Sequence, residues 1–303
     1  MKYLVTGGCG FIGSHLVDAL VFQGHDVVVI DNESATENSV FYKNPQATYH
    51  KLCITDYDST LNLYNGVDCV FHMAAVSRIQ RSIQSPIKAC DINFVGTATV
   101  LECCKVNNVR RMIFSSTSSL YGKKNSLPFS EYQTPDPLTP YSVAKLASEN
   151  LCRVYSSLYG VDTTVLRYFN VYGEREPEKG EYATVISLFL NQRIQGKPLT
   201  VVGNGLQERD FTHIKDVVDA NILAAKYPEN LDGEVFNIGT GIRYSILYLA
   251  KCISDNIIHV PDRIGEVRHT VANIQKAANI LKYNPKGSII EYIKSQRGFS
   301  NIC

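Results

Sequence analysis

The chain has 303 residues, 45% apolar and 19% charged, a composition that excludes long disordered segments and fits one large or two closely packed domains. Lysine plus arginine total 30 and aspartate plus glutamate total 29, so the net charge of +1 gives no reason to expect a nucleic acid or an anionic membrane as partner. No apolar run reaches about 18 residues, and a strand pattern starts at residue 3, so we expect no membrane span, no signal peptide and a cytoplasmic location.

Strand-like runs alternate with helical patterns along the first half of the chain. Strands are predicted at residues 3–5, 27–30, 69–71, 112–114 and 164–166, with helices at 12–22, 86–107 and 141–159, and a further strand is predicted at 234–238. Gly24 and Gly160 are placed to end two of these helices. The alternation predicts an α/β fold of the Rossmann type, a doubly wound parallel sheet covered by helices.

The turn between the first predicted strand and helix is rich in glycine. Residues 6–13 read Thr-Gly-Gly-Cys-Gly-Phe-Ile-Gly, which places Gly7, Gly10 and Gly13 in a GxxGxxG pattern. Gly7 and Gly10 let the backbone turn and approach a pyrophosphate, and Gly13 lets the helix pack closely on the strand. The N-terminus of the helix then directs free N–H groups at the phosphates.

A carboxylate follows the second predicted strand. Asp31 comes 18 residues after Gly13, where it can accept hydrogen bonds from both hydroxyls of an adenosine ribose and repel a 2′-phosphate. A tight turn or a solvated strand end would explain either feature by itself. Turn, helix, strand and Asp31 together predict a dinucleotide site that favours NAD over NADP.

A tyrosine and a lysine share one face at the start of the predicted helix 141–159. Tyr141 and Lys145 are four residues apart, so their side chains point to the same side. An ammonium beside a phenol favours the phenolate, and we expect the pKa of Tyr141 to fall below its free value of roughly 10. Tyr141 is therefore the candidate general base, although this spacing alone also occurs by chance.

A hydroxyl-rich loop follows the predicted strand 112–114. Residues 115–119 read Ser-Ser-Thr-Ser-Ser and continue into Leu-Tyr-Gly. Enzymes with α/β folds place their chemistry where strands end at the carboxyl edge, so a hydroxyl here is positioned to bond a reacting oxygen. Taken alone, the segment would be read as a capping and turn sequence.

These motifs, in this order, resemble the extended short-chain dehydrogenase/reductase superfamily and its NAD-dependent epimerase/dehydratase family. The resemblance rests on TGGCGFIG at 6–13, Asp31-Asn32, HMAA at 72–75, the Ser/Thr loop ending in Leu-Tyr-Gly, YSVAK at 141–145, RYFNVYG at 167–173 and RDF at 209–211. It covers residues 1 to about 293, and the closest similarity is to UDP-sugar 4-epimerases.

The resemblance implies a role for each matching residue. Tyr141 is the base, Lys145 orients it and binds the nicotinamide ribose, and Thr117 bonds the substrate oxygen. The implied NAD contacts come from Gly7, Gly10, Phe11, Ile12, Gly13, Asp31, Asn32, Ile54, Ala74, Ala75, Asn93, Ser115, Tyr141, Lys145 and Tyr168. The implied contacts with a UDP-hexose come from Ser77, Arg81, Thr117, Ser118, Tyr141, Asn170, Arg209, Arg263, Glu266 and Thr270. Among these, Asn170 contacts the diphosphate, while Arg209 and Arg263 clamp the phosphates.

Three positions depart from the family pattern. A Gly-Asp-Ile segment whose Asp often bonds adenine is Leu-Cys-Ile at residues 52–54, so that contact is lost while NAD binding is not excluded. Glu266 stands where an Arg-x-Gly-Asp segment usually has Asp, and it is implied to bond the nucleotide ribose. Thr117 stands where many 4-epimerases have Ser, and both residues supply the O–H group.

The two residues after Thr117 narrow the implied reaction. Related dehydratases carry Asp-Glu there and sugar-nucleotide decarboxylases usually carry a Glu in the same loop, whereas this chain has Ser118 and Ser119. The resemblance therefore implies epimerisation at C4, in which tightly bound NAD takes a hydride and returns it to the opposite face. Cysteine and histidine show no metal-ligand spacing, so no metal is expected.

The sequence restricts the identity of the sugar substrate less than it restricts the reaction. The resemblance implies that Thr270 stands at the position that gates the space beside C2 in 4-epimerases, and a small side chain there favours UDP-GlcNAc/UDP-GalNAc. Ser77, Arg78 and residues 80–83 also resemble UDP-GlcNAc 4-epimerases. UDP-glucose, UDP-glucuronate or another nucleotide sugar are the alternative substrates. A 4-keto-sugar reductase and a non-catalytic dinucleotide-binding protein are the alternative classes. Asp31 argues against the first class, and the intact Tyr141–Lys145 pair argues against the second.

The expected organisation is a larger cofactor part followed by a smaller substrate part. Residues 1–170 are predicted to form the NAD-binding Rossmann domain, with a return strand within about 206–240. Residues 171–303 are predicted to form an α/β part that binds the nucleotide sugar over the carboxyl edge of the sheet. The resemblance also implies a homodimer, in which the helices near 86–107 and 141–159 form a four-helix bundle with their equivalents.

Overall fold

A parallel sheet of seven strands forms the centre of the computed structural model, which describes residues 1–35, 40–177, 184–262 and 267–296. In chain order the strands are β1 (Lys2–Thr6), β2 (Asp26–Ile30), β3 (Thr48–His50), β4 (Cys69–His72), β5 (Arg111–Thr117), β6 (Asp162–Tyr168), β7 (Val171–Tyr172), β8 (Leu199–Val202), β9 (Glu208–Asp210), β10 (Thr212–His213), β11 (Glu234–Ile238), β12 (Arg243–Ser245) and β13 (Ile257–Val260). The central sheet has the order β11-β6-β5-β4-β1-β2-β3, and every neighbouring pair in it is parallel.

Helices flank this sheet and cover the C-terminal strands. They are α1 (Phe11–Phe22), α2 (Tyr57–Thr60), α3 (Ile79–Gln84), α4 (Pro86–Cys90), α5 (Gly96–Val106), α6 (Pro140–Tyr159), α7 (Val185–Ile194), α8 (Ile214–Lys226), α9 (Ile246–Lys251), α10 (Gln275–Ile280) and α11 (Ile289–Ser295). Short 3₁₀ helices occupy Leu61–Tyr64 and Ser118–Tyr121, and a π-helical segment occupies Asp91–Val95. The helix predicted at 86–107 is therefore one run made of α4, the π-helical segment and α5. The predicted doubly wound parallel sheet is confirmed.

The chain reverses its direction of winding beside β1. It proceeds outward through β1, β2 and β3, and then returns to place β4 on the other side of β1. Thr6 pairs with His72 at the carboxyl ends of β1 and β4, so the glycine turn and the loop after His72 face each other. Parallel sheets bind ligands in the crevice that such a reversal creates.

Hydrophobic clusters hold these layers together, and three of them are the largest among the described residues. Residues of α1, α8 and α10, such as Leu16 and Val217, pack on one face of the sheet, while residues of α5 and α6, such as Leu101 and Cys152, pack on the other. A third cluster is built from residues between 172 and 293. The segment 206–240 contributes α8 and β11 to the central sheet and its packing, whereas the domain boundary at residue 170 stays a prediction.

The start of α6 is fixed by its own sequence. The Thr139 side chain accepts a hydrogen bond from the Ser142 backbone, the Ser142 side chain bonds the Thr139 backbone in return, and Pro140 occupies the first turn. Gly160, with φ of 70°, ends the helix in the left-handed region. These caps place Tyr141 in the first turn of a 20-residue helix that lies against β5 and β6.

Among the described residues, no helix combines the length and the apolar character needed to cross a membrane.

Candidate active site

A cavity of about 640 Å³ runs along the carboxyl edge of the sheet, a volume typical of ligand pockets. Its lining includes most of the residues predicted from the sequence: Gly7, Gly10, Phe11, Ile12, Gly13, Asp31, Asn32, Ile54, Ala74, Ala75, Ser77, Arg81, Ser115, Thr117, Ser118, Tyr141, Lys145, Tyr168, Asn170, Arg209 and Thr270. The predictions for Arg263 and Glu266 lie outside the described residues. Asn93 does not line the cavity, and its different position is explained below.

The three glycines of the GxxGxxG pattern serve two different purposes. A Cβ on Gly13 would lie 2.2 Å from the Gly7 carbonyl oxygen, and a Cβ on Gly7, whose φ is +72°, would lie 2.7 Å from the Ala74 nitrogen. These two glycines are therefore required by the fold itself. A Cβ on Gly10 would meet only the Gly7 oxygen, at 3.4 Å, and would otherwise enter the cavity. Gly10 thus leaves open the space at the helix N-terminus that a pyrophosphate would occupy.

The carboxylate of Asp31 is held at the cavity by backbone donors. Its Oδ2 accepts a hydrogen bond from the Cys9 N–H at 2.9 Å, and its Oδ1 accepts one from the Glu33 N–H at 2.7 Å. Burial raises the pKa of Asp31, and these two bonds partly oppose the rise. A fixed acceptor pair beside the open glycine turn fits the ribose of a dinucleotide.

The segment 52–54 lines the cavity without the acidic residue that the family often has there. Ile54 is buried and lines the cavity, and it packs so closely on Gly96 that a Cβ there would lie 2.6 Å from Ile54 Cδ1. The Ile54 side chain offers packing and no hydrogen bond to a ligand on this side of the cavity.

Tyr141 and Thr117 meet at the carboxyl edge of β5. The Thr117 hydroxyl hydrogen-bonds the Tyr141 side chain and lies 3.1 Å from Ser119 Oγ. Burial raises the pKa of Tyr141 to about 12, while Thr117 and the positive charge of Arg78 lower it by less. The expected fall of the Tyr141 pKa below 10 is therefore wrong for the protein chain alone, because desolvation of a fully buried phenol outweighs its charged neighbours.

Lys145 lies one helical turn from Tyr141 but directs its ammonium at the sheet. Its Nζ donates a hydrogen bond to the Ser115 carbonyl at 2.7 Å and lies 4.6 Å from the centre of the Phe114 ring. Only 2% of Lys145 is exposed, and this burial lowers its pKa to about 8. The lysine thus ties α6 to the hydroxyl-bearing strand end, which is a positioning role for Tyr141.

A buried ion pair between Glu149 and Arg167 is hydrogen-bonded to Ser116, near the carboxyl end of β5. Glu149 accepts hydrogen bonds from Ser116 Oγ at 2.5 Å and from Arg167 Nη2 at 2.6 Å. Arg167 in turn lies over the ring of Tyr121, 4.9 Å from its centre. Glu149 was not predicted as a site residue, although its spacing of four residues from Lys145 places both on one side of α6.

A chain of hydrogen bonds around His72 orders the segment 74–76, which lines the cavity. The Ala74 N–H donates to Thr6 Oγ1 at 3.2 Å, and Thr6 Oγ1 lies 2.7 Å from His72 Nδ1. His72 Nε2 lies 2.9 Å from Thr97 Oγ1, which donates to the Asn93 carbonyl at 2.7 Å. Since Thr97 uses its proton on this carbonyl, the neutral imidazole carries its own proton on Nε2.

Asn93 is the last residue of this hydrogen-bond network and lies outside the cavity lining. Its side-chain oxygen accepts from the Val76 N–H at 2.7 Å, and its side-chain nitrogen donates to the Val76 carbonyl at 3.1 Å. With 1% exposure, Asn93 cannot contact a cofactor in this arrangement. The predicted cofactor contact is therefore corrected to a positioning role for the loop 74–76, because both ends of the amide are bonded to that loop.

We expect His72 to make the protein less stable as pH falls below 6.5. Burial lowers the pKa of His72 to about 3, against roughly 6.5 in an unfolded chain. Between these values the unfolded state binds more protons, so the free energy of unfolding should fall by about 2 kcal/mol between pH 7 and pH 5 from this group. Urea titrations at pH 7 and pH 5 should show that His72→Gln lacks this decrease in the free energy of unfolding.

His259→Gln is the matched control, because His259 is exposed and lies away from the cavity. Its pH dependence should follow that of the unmodified protein. Identical pH slopes for His72→Gln and the unmodified protein would contradict the assignment of a neutral buried imidazole.

Residues from 170 onward contribute small and polar side chains to the cavity. Asn170 Nδ2 donates to the Asp210 carbonyl at 2.7 Å and lies 3.4 Å from Thr270 Oγ1. Arg209 Nη1 donates to the Glu208 and Arg268 carbonyls, both at 3.0 Å. The amide of Asn170 is thus engaged by the protein, while its predicted diphosphate contact stays a prediction.

One acidic residue of the cavity lining was missed in the sequence analysis. Glu176 is 6% exposed and lines the cavity together with Arg78. Burial raises the pKa of Glu176 to about 8, while Arg78 and a backbone hydrogen bond from Gly173 lower it by less. The signal in the sequence was weak, because Glu176 stands in a charged segment that has the composition of an exposed loop.

Fold and site together define an α/β protein in which a glycine-rich turn, the carboxylate of Asp31 and the side chains of Tyr141 and Thr117 line one cavity. A sequence profile of the NAD dependent epimerase/dehydratase family matches residues 3–239. Over 300 residues the chain is 36% identical to a putative UDP-glucose 4-epimerase of Methanocaldococcus jannaschii, covering 96% of this chain and 95% of that protein. It is 38% identical over 315 residues to the UDP-N-acetyl-alpha-D-glucosaminuronate decarboxylase of Bacillus cytotoxicus, with coverage of 95% and 94%.

Solved structures of similar proteins share the whole fold. The UDP-glucose 4-epimerase of Thermotoga maritima with UDP-glucose has a TM-score of 0.91 at 35% identity, covering 97% of this chain and 96% of that one. The UDP-N-acetylglucosamine 4-epimerase of Methanobrevibacter ruminantium M1 in complex with UDP-N-acetylmuramic acid has a TM-score of 0.90 at 32% identity, with the same coverage. The UDP-glucose 4-epimerase of Thermus thermophilus in complex with NAD has a TM-score of 0.88 at 28% identity, covering 97% of both chains. The chain belongs to the NAD-dependent epimerase/dehydratase family, as its motifs predicted.

Proposed function

We propose that the protein is an isomerase that inverts C4 of a UDP-hexose by transient oxidation. The observation that carries the proposal is the hydrogen-bonded Tyr141–Thr117 pair, which shares one cavity with the glycine turn and Asp31. Ser118 and Ser119 line the same cavity, and neither hydroxyl can replace the acid and base that elimination of water requires. Of the protein's own side chains, oxidation and re-reduction at one carbon need only this pair, and NAD would supply the hydride acceptor.

In the proposed mechanism the chain's residues handle the proton and hold the substrate. Tyr141 takes the proton of the 4-hydroxyl and later returns it, while the Thr117 hydroxyl bonds the same oxygen. The nicotinamide, when bound, supplies the reversible hydride acceptor, and its positive charge adds to that of Arg78 in lowering the Tyr141 pKa. Arg209 and Arg263 hold the diphosphate so that the keto-sugar can rotate about it and present its opposite face between the two half-reactions.

NAD is proposed to stay bound between turnovers. The epimerisation has no net redox change, so the cofactor needs no exchange. The contacts that would hold it are the helix N-terminus at Gly10, the carboxylate of Asp31 and the loop 74–76. A cytoplasmic location stays a prediction from the sequence.

Among UDP-hexoses we propose UDP-GlcNAc/UDP-GalNAc as the substrate pair. Thr270 is small, buried and next to Asn170 at the substrate end of the cavity, which supports an open space beside C2. UDP-glucose and UDP-glucuronate are the next candidates. The decarboxylase activity named for one relative is disfavoured, because the 115–119 loop contains only hydroxyl side chains.

The test is incubation of the purified protein with UDP-GlcNAc and no added cofactor, with the products separated by chromatography or identified by NMR. Formation of UDP-GalNAc would support both the epimerase mechanism and retained NAD. Absence of product would lead to UDP-glucose and UDP-glucuronate under the same conditions. If all three stayed inert with NAD supplied, the 4-epimerase proposal would be wrong, and a reductase or a binding role would replace it.

We also propose a homodimer that pairs the α4–α5 run and α6 with their equivalents. Several apolar side chains on these adjacent helices are exposed: Ile87 at 86%, Val143 at 50%, Val154 at 40% and Leu158 at 68%. Exposed apolar side chains clustered on one face are typical of an interface. A second copy of the chain is the occupant that the family resemblance implies.

Charged substitutions on this face should therefore produce a monomer. The double variant Ile87→Arg with Leu158→Arg would bury two unpaired charges in the interface, which is strongly unfavourable. Light scattering coupled to size exclusion should give the monomer mass of about 34 kDa (33.8 kDa from the sequence) for the variant and twice that for the unmodified protein. Ile194→Arg, on α7 and 77% exposed, is the control and should remain a dimer. A monomeric unmodified protein would contradict the proposal.

A further inference from the structure

The first turn of α6, which carries Tyr141, is bonded by a side chain from another helix. Within the turn, Thr139 Oγ1 accepts a hydrogen bond from the Ser142 N–H at 3.2 Å, and Pro140 has no N–H group. The Tyr141 N–H lies between them and points out of the helix start, where it donates to Ser82 Oγ at 3.2 Å. The helix thus has its own cap, and Ser82 adds a bond to the residue that bears the phenol.

The Ser82 hydroxyl is engaged on both sides. It donates to the Ile79 carbonyl at 2.7 Å, so its proton is used there and its oxygen is left to accept from the Tyr141 N–H. Ser82 is 0% exposed, and its bond to Tyr141 is buried. Removal of the hydroxyl would therefore leave a buried N–H group without this acceptor, which is unfavourable.

Ser82 belongs to α3, a helix that borders the cavity. Residues 78–81 line the cavity, and α3 packs on α6. The bond from Tyr141 to Ser82 therefore joins the backbone of Tyr141 to the helix that contributes this part of the lining. The Tyr141 hydroxyl is bonded by Thr117 at the end of β5. Tyr141 is thus held at its backbone by α3 and at its hydroxyl by β5.

We propose that Ser82 is a positioning residue, which fixes the distance between the phenol of Tyr141 and a substrate bound against the segment 78–81. The inference rests on the proposed function and deepens it, because it takes Tyr141 as the base. A shift of the first turn of α6 carries the phenol with it. Proton transfer needs roughly 2.6–3.2 Å between the two heavy atoms, so a small shift removes the base from reach of the substrate hydroxyl.

Steady-state kinetics of Ser82→Ala measure the effect on whichever of UDP-GlcNAc, UDP-glucose and UDP-glucuronate the unmodified protein converts. We expect kcat to fall by about 10- to 100-fold because the base is displaced, while KM stays within about twofold. A loss of stability alone does not produce this division between kcat and KM. An unchanged kcat, with or without a higher KM, would overturn the inference.

Ser156→Ala is the matched control near the other end of α6. Its buried hydroxyl also bonds one carbonyl and one N–H group, donating to Val161 at 2.8 Å and accepting from Thr163 at 3.0 Å. Ser156 lies outside the cavity lining. Both variants should lose a few degrees in melting temperature, whereas kcat of Ser156→Ala should stay within about twofold. An equal loss of kcat in the two variants would overturn the inference.

Amide hydrogen exchange tests the bond itself and requires no activity. We expect slow exchange of the Tyr141 amide in the unmodified protein, although first-turn N–H groups have no partner within their own helix. In Ser82→Ala this amide should exchange at least about 10-fold faster, while the Ser142 amide, bonded to Thr139, keeps its rate. Exchange of the Tyr141 amide at the rate of an unprotected group in the unmodified protein would overturn the inference.

Failure of the proposed function would be recognised separately, as an unmodified protein that converts none of the three UDP-sugars with NAD supplied. The exchange rates then still decide whether Ser82 fixes Tyr141. Equal rates for the Tyr141 amide in the unmodified protein and in Ser82→Ala would overturn the inference whether or not the protein is active.

Discussion

Replacement of Tyr141 by phenylalanine should lower kcat by roughly 10²- to 10⁴-fold on every UDP-sugar that the protein converts, the range of a lost general base. The substitution removes only the hydroxyl that Thr117 bonds, so the ring continues to fill its buried position on α6. KM should change little, because in the proposed mechanism the substrate is held mainly through its diphosphate. Steady-state kinetics with product separation would measure both constants.

Tyr155→Phe is the appropriate comparison on the same helix. The Tyr155 hydroxyl donates to Glu102 at 3.0 Å and lies outside the cavity lining, so its loss should leave kcat within about twofold. Bound NAD and the melting temperature should be the same in Tyr141→Phe as in the unmodified protein. Retention of full activity by Tyr141→Phe would assign the base to another residue.

Two single-methyl substitutions in the glycine turn should have opposite consequences. The Cβ of Gly13→Ala would lie 2.2 Å from the Gly7 oxygen and 2.8 Å from the Gly8 Cα, which are backbone atoms that cannot move aside. The expected cost is about 3 kcal/mol of folding free energy, at the upper end of overpacking effects. Chemical denaturation would measure it, and low yields of folded protein are part of the same expectation.

Gly10→Ala should instead fold and lose its cofactor. Its Cβ meets only the Gly7 oxygen, at 3.4 Å, so the cost in stability should stay within about 1 kcal/mol, mostly from the poorer helix N-cap. The methyl group enters the space assigned to the pyrophosphate, and NAD affinity should fall by about 100-fold or more, as for a buried clash of a few kcal/mol. Equilibrium titration with NAD after cofactor removal would measure this.

The two alanine variants are controls for each other. A Gly10→Ala protein that keeps bound NAD at the unmodified level would show that the pyrophosphate lies elsewhere. A Gly13→Ala protein with unchanged stability would show that the turn can relax in a way the closely packed backbone does not indicate.

The fold was predictable because strands buried on both faces have a simple pattern. Continuous apolar runs such as residues 27–30 and 112–114 became β2 and β5, and the return strand at 234–238 became β11 with the same bounds. The π-helical segment Asp91–Val95 was not predicted, because apolar spacing alone does not distinguish it from an α-helix. It nevertheless carries Asn93.

The residues that line the cavity were easier to predict from the sequence than the pKa of the titratable group Tyr141. Motifs at strand ends identify residues that meet at one edge, because the topology of a parallel sheet brings them together. The pKa of Tyr141 depends on burial and on where the Lys145 ammonium points, and neither is visible in a helical spacing. Glu176 was missed for a related reason, since the path of its loop depends on contacts with α1 that are more than 150 residues away in sequence.

Asn93 connects two parts of the candidate active site from a position outside the cavity lining. Its side chain bonds both backbone groups of Val76, and its own carbonyl accepts hydrogen bonds from Thr97 and, at 2.8 Å, from Ser148 of α6. The loop 74–76 and the helix that bears Tyr141 are thereby joined through a single residue. Reactions of this kind tolerate little error in distance, and a displacement of about 1 Å can cost 10²-fold in rate. We therefore expect the loop 74–76 and the helix α6 with Tyr141 to move together in thermal motion. The distance between them is then preserved.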